Sequence, residues 1–537
     1  MAFKTLRELY LNSIGSFAER PSFSMYEAGS MTYREFGERV ETVREMLLDA
    51  GLSSGDKVAL LSGNMPNWPV CYLAVVSSGM VVVPILPDFS GPELDMIIEH
   101  ADAKALLVSD KLFSKVSKAI IEKLNVVIRT KNLGIISRHG TGRGTMTEPR
   151  GEDVAAIIYT SGTTSKPKGV MLSHSNLCSQ LEMARRLYPI GPQDVFLSIL
   201  PLSHTYECSI GMLYPFMEGS SVVYLDRPPT ASTLMPAMKA IRPTIMLSVP
   251  LIIEKIYKSQ VLKPFTENAF KKRVYGWGWF RRMIHRVAGR KLVKIFGGRL
   301  RFFGIGGAKL DTQAEQFLID ARFPYAIGYG LTETAPLIAG AIPGRTSLGS
   351  TGPVMDGVSA RLENINPRSG EGEIVVRSPS TMIGYYKNPE ATKEVFTPDG
   401  WFRTKDLGLF DSRGYLYIKG RLNNMIVGPS GENIYPEEIE TVINSHFLVT
   451  DSIVKEEKGK LVALVHFNRE ELERRYYSMK EELGYRMDEI KSDLMRYVNS
   501  KVNKFSRISV VVEQTDGFEK TPTHKIKRFL YIKNRKK

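Results

Sequence analysis

Tyr159-Thr160-Ser161-Gly162-Thr163-Thr164-Ser165-Lys166-Pro167-Lys168-Gly169-Val170 is the stretch on which the reading of this chain turns. Hydroxyl side chains, two glycines and two lysines crowd one short loop. Glycine lets backbone N–H groups face an anion, hydroxyls add donors and lysines add charge. The apolar run Val154-Ala155-Ala156-Ile157-Ile158-Tyr159 before it reads as a buried strand. A loop of this make-up leaving a strand end suits a polyphosphate. The common nucleotide-binding P-loop is a different device, because its Gly-x4-Gly-Lys-Ser/Thr spacing is absent here. The rival reading is a Ser/Thr/Gly surface loop without a ligand.

Working outward, 537 residues with 43% hydrophobic content suffice for a large core and suggest more than one domain. The N-terminus, Met1 to Glu8, has no long apolar stretch after its charges, so no signal peptide is expected. Cys71, Cys178 and Cys208 are far apart and lack metal-ligand spacing, which fits free thiols in a reducing cytoplasm. Trp68 to Pro87 carries no charge, but three prolines, a glycine and two serines interrupt it. A buried helix, a turn at Ser77-Ser78-Gly79 and the strand Met80–Val83 are expected there rather than a membrane span.

The net charge of +15 suits anionic partners. No zinc finger, RNA-recognition motif or other standard nucleic-acid module is present, so nucleic acid is not expected. Much of the excess is local: residues 263–301 hold twelve Lys/Arg against one Glu, with Trp277, Trp279, Phe280 and Phe296 among them and Phe302 and Phe303 directly after. Two readings stand for this segment, an anionic membrane surface and an ordinary solvated helix pair with core aromatics.

Short apolar runs alternate with helical patterns through most of the chain. Lys57–Leu61, Ala105–Val108, Val195–Ser198, Ser221–Tyr224 and Thr244–Leu247 read as strands, which argues for an α/β architecture with largely parallel, helix-covered sheets. From Gly349 glycines become frequent and strands short, as in Gly372–Arg377 and Gly414–Ile418, the texture of a small antiparallel β module. A compact tail of mixed helices and strands follows Gly420.

The opening loop resembles the Tyr-Thr-Ser-Gly-Thr-Thr-Gly-x-Pro-Lys-Gly signature of the adenylate-forming superfamily, which includes acyl-CoA synthetases, luciferases and peptide-synthetase adenylation domains. Ser165 stands where the last loop glycine usually sits. The resemblance covers nearly the whole chain. It implies an N-terminal domain over residues 1–419, with the β module over about 349–419, a hinge at 420–424 and a small mobile α+β domain over 425–537. Asn423 stands where many relatives have a charged hinge residue.

Further motifs take roles from the same resemblance. In the loop, Thr160, Ser161, Gly162, Thr163, Thr164 and Lys168 are expected around the nucleotide. Gly328-Tyr329-Gly330-Leu331-Thr332-Glu333-Thr334 offers an aromatic face, a hydroxyl and a carboxylate within a few residues. The resemblance sets Tyr329 against adenine, Thr332 near the reacting phosphate and Glu333 on Mg²⁺. Gly306, Gly307 and Ala308 match the adenine-pocket turn. Asp406 in Trp401–Gly408 matches the aspartate that accepts from both ribose hydroxyls, and Arg421 also contacts the ribose. Lys525 in Glu519–Arg528 matches the catalytic lysine, with His524 replacing the glycine before it. His204, Tyr206 and Gly211 match the acyl pocket, His204 being read as pocket wall ahead of proton-transfer group or core histidine. Gly431 and Glu432 match the loop that forms the thiol tunnel.

These parts imply a two-step reaction. A carboxylate attacks the α-phosphorus of ATP, releasing pyrophosphate, and a thiol then takes the acyl group and releases AMP. Ser248-Val249-Pro250-Leu251-Ile252-Ile253-Glu254-Lys255-Ile256 resembles a motif of long-chain fatty acyl-CoA synthetases. The expected substrates are therefore a fatty acid, ATP and CoA, in the cytoplasm or on the inner face of the membrane. An acyl-carrier protein is the rival thiol. A non-catalytic lipid- or nucleotide-binding relative is the rival class. A phosphotransferase is disfavoured, since kinase and Walker motifs are missing.

Overall fold

The structure is a computed structural model that describes residues 3–160, 167–262, 264, 273, 275–428, 432–476, 483–521 and 525–532. Two eight-stranded sheets dominate it. The first runs in the order Gly384–Tyr385, Lys168–Ser173, Val154–Thr160, Val81–Ile85, Lys57–Leu61, Ala103–Val108, Val126–Arg129, Ile135–Arg138. The second runs Leu337–Ala341, Tyr325–Gly330, Phe302–Ile305, Ile245–Ser248, Val195–Ser198, Ser221–Tyr224, Pro21–Met25, Ser30–Thr32. Both are parallel inside and antiparallel toward their edges. The inner strands are apolar without alternation, because helices cover both faces. Val58, Ala59, Leu60 and Leu61 are all fully buried, for example.

The uncharged stretch after Trp68 folds as expected, with a wholly buried helix, Asn67–Ser77, a turn, and the strand Val81–Ile85. Among the described residues no helix is long and apolar enough to cross a membrane. The strand read at Thr244–Leu247 is displaced by one residue to Ile245–Ser248. Thr244 stays at the foot of that strand, its N–H donating to the Val195 carbonyl at 2.9 Å and its hydroxyl to Asp194 Oδ1 at 2.8 Å.

One local expectation needs correcting. The opening loop was read as running through Val170, but Lys168 already pairs with Thr160 across an antiparallel ladder. The loop is therefore the turn of a hairpin, and Lys168, Gly169 and Val170 belong to the returning strand. Burial explains it: Gly169 and Val170 are packed inside, which a solvated loop would not allow.

Five short antiparallel strands form the third sheet, in the order Gly352–Pro353, Tyr415–Arg421, Phe402–Phe410, Gly372–Arg377, Ser359–Glu363. The C-terminal residues have a hydrophobic cluster of their own around Ile439, Ile443, Val454, Ala463, Val465, Leu494 and Val498. It lies between the helices Pro436–Asn444 and Leu483–Asn499 and a three-stranded sheet.

Candidate active site

Asp406 and Arg421 face each other across adjacent strands of the third sheet, so the ladder register alone brings them together. Arg421 Nε lies 2.9 Å from Asp406 Oδ1. The Tyr329 hydroxyl donates to Asp406 Oδ2 at 2.7 Å, and the Asp406 backbone N–H donates to Thr404 Oγ1 at 3.1 Å. Asp406 is only 4% exposed. Burial raises its carboxyl, and Arg421 and Tyr329 oppose that shift. In return Asp406 raises the Arg421 guanidinium. A lone buried carboxylate would be costly, and this pairing compensates it.

Gly328, Tyr329 and Gly330 close the strand Tyr325–Gly330, and Thr332–Thr334 turn immediately after it. Glu333 Oε1 accepts from the Tyr385 hydroxyl at 2.9 Å, and its backbone carbonyl accepts from Met382 N–H at 2.8 Å. Tyr385 in turn pairs with Val170 on the strand that follows the hydroxyl-rich loop. The Lys168 ammonium sits 5.1 Å from the centre of the Tyr385 ring. Tyr385 thus ties the foot of the loop to Glu333. Sequence reasoning missed it, since its role comes from a sheet pairing some 215 positions away. Thr160 ends the strand before the loop, and its hydroxyl reaches the Lys168 carbonyl at 3.5 Å. Ser161, Gly162, Thr163 and Thr164 lie outside the described residues, with Ser165 and Lys166.

Glu333 Oε2 has no partner among the described residues. A single free carboxylate oxygen beside a phosphate-suited loop fits Mg²⁺, which binds through one or two carboxylates and takes the rest of its shell from phosphates and water. No group of three or more His, Cys, Asp or Glu side chains gathers as a self-sufficient metal site among the described residues.

Next to this cluster, Gly304–Ala308 packs against the segment after Pro201. Gly304 and Gly306 lie flat against the Tyr206 ring. A Cβ at Gly306 would come within 3.2 Å of Tyr206 Cε1, and one at Gly304 within 2.8 Å of its hydroxyl. Gly307, at φ +86°, and Ala308 follow as exposed backbone. His204 is half-buried, and its Nδ1 accepts from Tyr206 N–H at 3.3 Å. Burial and nearby Lys525 push the imidazole down to about 4, so it is neutral at ordinary pH.

Gly211 sits in the π-helix Glu207–Leu213, whose residues are all buried. A Cβ there would stand 2.6 Å from Glu207 Cδ. Glu207 is a residue to which sequence reasoning gave no role. It is 1% exposed, and its Oε1 accepts from Ser198 Oγ at 2.5 Å. Burial pushes its carboxyl up to about 8. Oε2 of Glu207 and the hydroxyls of Ser203, Thr205 and Ser209 have no partner among the described residues, which leaves a polar seam behind His204 and Tyr206.

Lys525 completes the cluster. It stands on a tight hairpin closed by the Lys520–Ile526 bridge and by Thr521 N–H donating to the Lys525 carbonyl at 2.7 Å. The hairpin delivers the lysine from the C-terminal residues to within electrostatic reach of Asp406, Arg421, Glu333 and His204. Crowding by protein and repulsion from Arg421 lower its ammonium, while Asp406 and Glu333 pull the other way. The side chain still opens to solvent by surface area, and that access screens the shift. Pro522, Thr523 and His524 lie outside the described residues, as does Gly431. The Glu432 carbonyl accepts from Gly428 N–H at 2.8 Å.

An arginine–aspartate pair bonded to a tyrosine, and a carboxylate tied to the foot of a hydroxyl-rich hairpin, thus lie within electrostatic reach of a lysine. The family model described as AMP-binding enzyme matches residues 13–386. This chain belongs to the AMP-binding enzyme family. Its sequence is 30% identical to long chain acyl-CoA synthetase 1 of Arabidopsis thaliana over 554 residues, covering 91% of this chain and 83% of that protein. It is 27% identical to a chloroplastic long-chain-fatty-acid–acyl-carrier-protein ligase of the same plant, covering 83% and 73%. Among solved structures, ATP-bound MatB from Rhodopseudomonas palustris matches with a TM-score of 0.77 at 24% identity, covering 98% of both chains. This AMP-binding enzyme therefore shares the adenylate-forming architecture, a large domain of mixed sheets with a small C-terminal one.

Proposed function

We propose that this protein activates a medium- to long-chain fatty acid with ATP to an acyl-adenylate and passes the acyl group to the thiol of CoA. The observation that carries this reading is the placement of Lys525 beside Asp406, Arg421 and Glu333. Two anions, a carboxylate and a polyphosphate, must approach in the first step, and fixed positive charge lowers that barrier. In this reading Asp406 and Arg421 hold the ribose, Tyr329 packs on adenine, and Thr332 with the hairpin hydroxyls donates to phosphate. Lys525 neutralises the charge that develops on the pentavalent phosphorus and its oxygens. Bound Mg²⁺, held by Glu333 through the free Oε2, would add Lewis-acid charge on the phosphates.

After adenylation Lys525 has no further work at the carbonyl. Rotation about residues 420–424 would remove it and bring Gly431 and Glu432 toward the thiol path. The kinship with long chain acyl-CoA synthetase 1 supports a fatty acid and CoA. The acyl-carrier-protein ligase relative supports a carrier protein as the alternative acceptor. The three buried free cysteines suit a reducing compartment such as the cytoplasm.

Pyrophosphate release with ATP, Mg²⁺ and fatty acids of graded length, measured with and without CoA, tests the reading. Turnover stimulated by CoA and peaking at long chains is expected. Release stimulated only by a carrier protein would select the alternative acceptor, and no release with any acid would overturn the assignment.

A further inference from the structure

We infer that the outer face of the helix Gly278–Ile295 is a docking surface for an anionic lipid bilayer. The helix has the sequence GWFRRMIHRVAGRKLVKI, which contains no acidic residue. Its rotation is fixed by an inner face of His285, Gly289 and Leu292, all buried. A Cβ at Gly289 would lie 2.6 Å from Ala321 Cβ, so this helix rests directly on the helix Thr312–Ala321. His285 pins the contact from both ring nitrogens, Nδ1 at 2.9 Å from Asp320 Oδ2 and Nε2 at 2.6 Å from the Tyr275 hydroxyl.

With that face held down, Trp279, Met283 and Val287 point outward at four-residue spacing, 67%, 48% and 62% exposed. Trp277, just before the helix, is 54% exposed. Arg282, Arg286, Arg290, Lys291 and Lys294 are exposed between and beside them, and none has an ion-pair partner among the described residues. Water favours the cations of such a surface and disfavours its apolar stripe. A bilayer interface favours both: apolar side chains enter the headgroup–acyl boundary, while Arg and Lys stems lie along it with their charges on anionic headgroups. A nucleic acid would use the cations but would leave tryptophan, methionine and valine in water, so the mixed stripe points to lipid. Eighteen residues make a rod of about 27 Å that lies on the surface.

The test is co-sedimentation of the full chain with vesicles of phosphatidylcholine and of phosphatidylcholine mixed with phosphatidylglycerol, at low and high salt. Binding to the mixed vesicles only, lost at high salt, is expected. The variant carrying Arg282→Gln, Arg286→Gln and Arg290→Gln is expected to bind on the order of 100-fold more weakly, since each interfacial cation contributes roughly fivefold. A second variant with Trp279→Ser, Met283→Ser and Val287→Ser is expected to lose vesicle binding while keeping its melting temperature and its pyrophosphate release in vesicle-free buffer. The proposal is overturned by absence of vesicle binding at low salt, or by undiminished binding of both variants. It is equally overturned if the wild-type chain retains an RNA duplex but not vesicles, or if the face instead proves to join two copies in light scattering.

Discussion

At Lys525 the proposed chemistry rests on a single side chain. The Lys525→Ala variant is expected to lose adenylate formation by about 10²–10³-fold, the usual effect of removing one donor aimed at developing charge. It should retain most of its rate when given preformed acyl-adenylate and CoA. Stopped-flow measurement of the two half-reactions checks this, and an equal loss in both would contradict the assigned role.

Glu207 makes a different kind of prediction. Its carboxyl titrates near 8 when folded against a free value of 4.5, so the folded state holds the proton more tightly. That contribution to stability is complete below the free value and is lost as pH rises through about 8. Glu207→Gln keeps the shape and stays neutral. Melting temperatures of the two proteins should therefore diverge between about pH 5 and pH 9, the wild type falling further at the alkaline end. Parallel curves would show that the group ionises without cost where it sits.

At the scale of the element, the π-helix Glu207–Leu213 and the strand Phe302–Ile305 set the wall of the proposed acid site by close approach. Gly211→Ala would place a methyl group 2.6 Å from Glu207 Cδ. About 1–3 kcal/mol of destabilisation is expected from overpacking, read as a lower chemical-denaturation midpoint with an unchanged m-value. The hairpin around the hydroxyl-rich loop shows what could be read locally. Its strand Val154–Thr160 was legible through Tyr159 as an uninterrupted apolar run, and Asp406 and Arg421 were legible as motif residues. That Lys168 belongs to the returning strand was not, because a ladder partner, not a propensity, put it there. Tyr385 was invisible for the same reason: its value lies in a bond to Glu333 that only sheet pairing creates.

For the whole molecule, the pose of the C-terminal residues rests on a small charge network against the rest of the chain. Glu438 receives Lys309 at 3.2 Å and Lys419 at 3.6 Å, and Lys419 also reaches Glu371 at 3.7 Å. The Tyr435 hydroxyl donates to Glu371 at 2.6 Å, and the Lys258 ammonium donates to the Asn444 carbonyl. The three ion pairs are between partly exposed groups, so each contributes about 0.2–1 kcal/mol. The proposed rotation about residues 420–424 requires contacts this weak. Glu438→Gln is expected to slow adenylation by roughly two- to fivefold and to leave thioester formation from acyl-adenylate unchanged or faster. Equal slowing of both half-reactions would mean that the network supports the fold rather than this pose.

The sequence by itself determined the alternation that makes two helix-covered sheets, the glycine-rich β module, the compact tail and the motif residues, because apolar period and turn chemistry are written locally. Only the tertiary structure decided which of those residues meet. It set Asp406 opposite Arg421 by register, tied Glu333 to the loop through Tyr385, filled the Gly304–Gly306 face with Tyr206 and swung Lys525 across from the C-terminal hairpin. It also decided which face of the helix Gly278–Ile295 is buried: composition shows its cations and aromatics, but the packing of Gly289 on Ala321 turns Trp279, Met283 and Val287 outward. The physical reason is the same in each case. These juxtapositions depend on strand register, close packing and the seating of one domain on another, which are set by contacts between residues far apart in the chain.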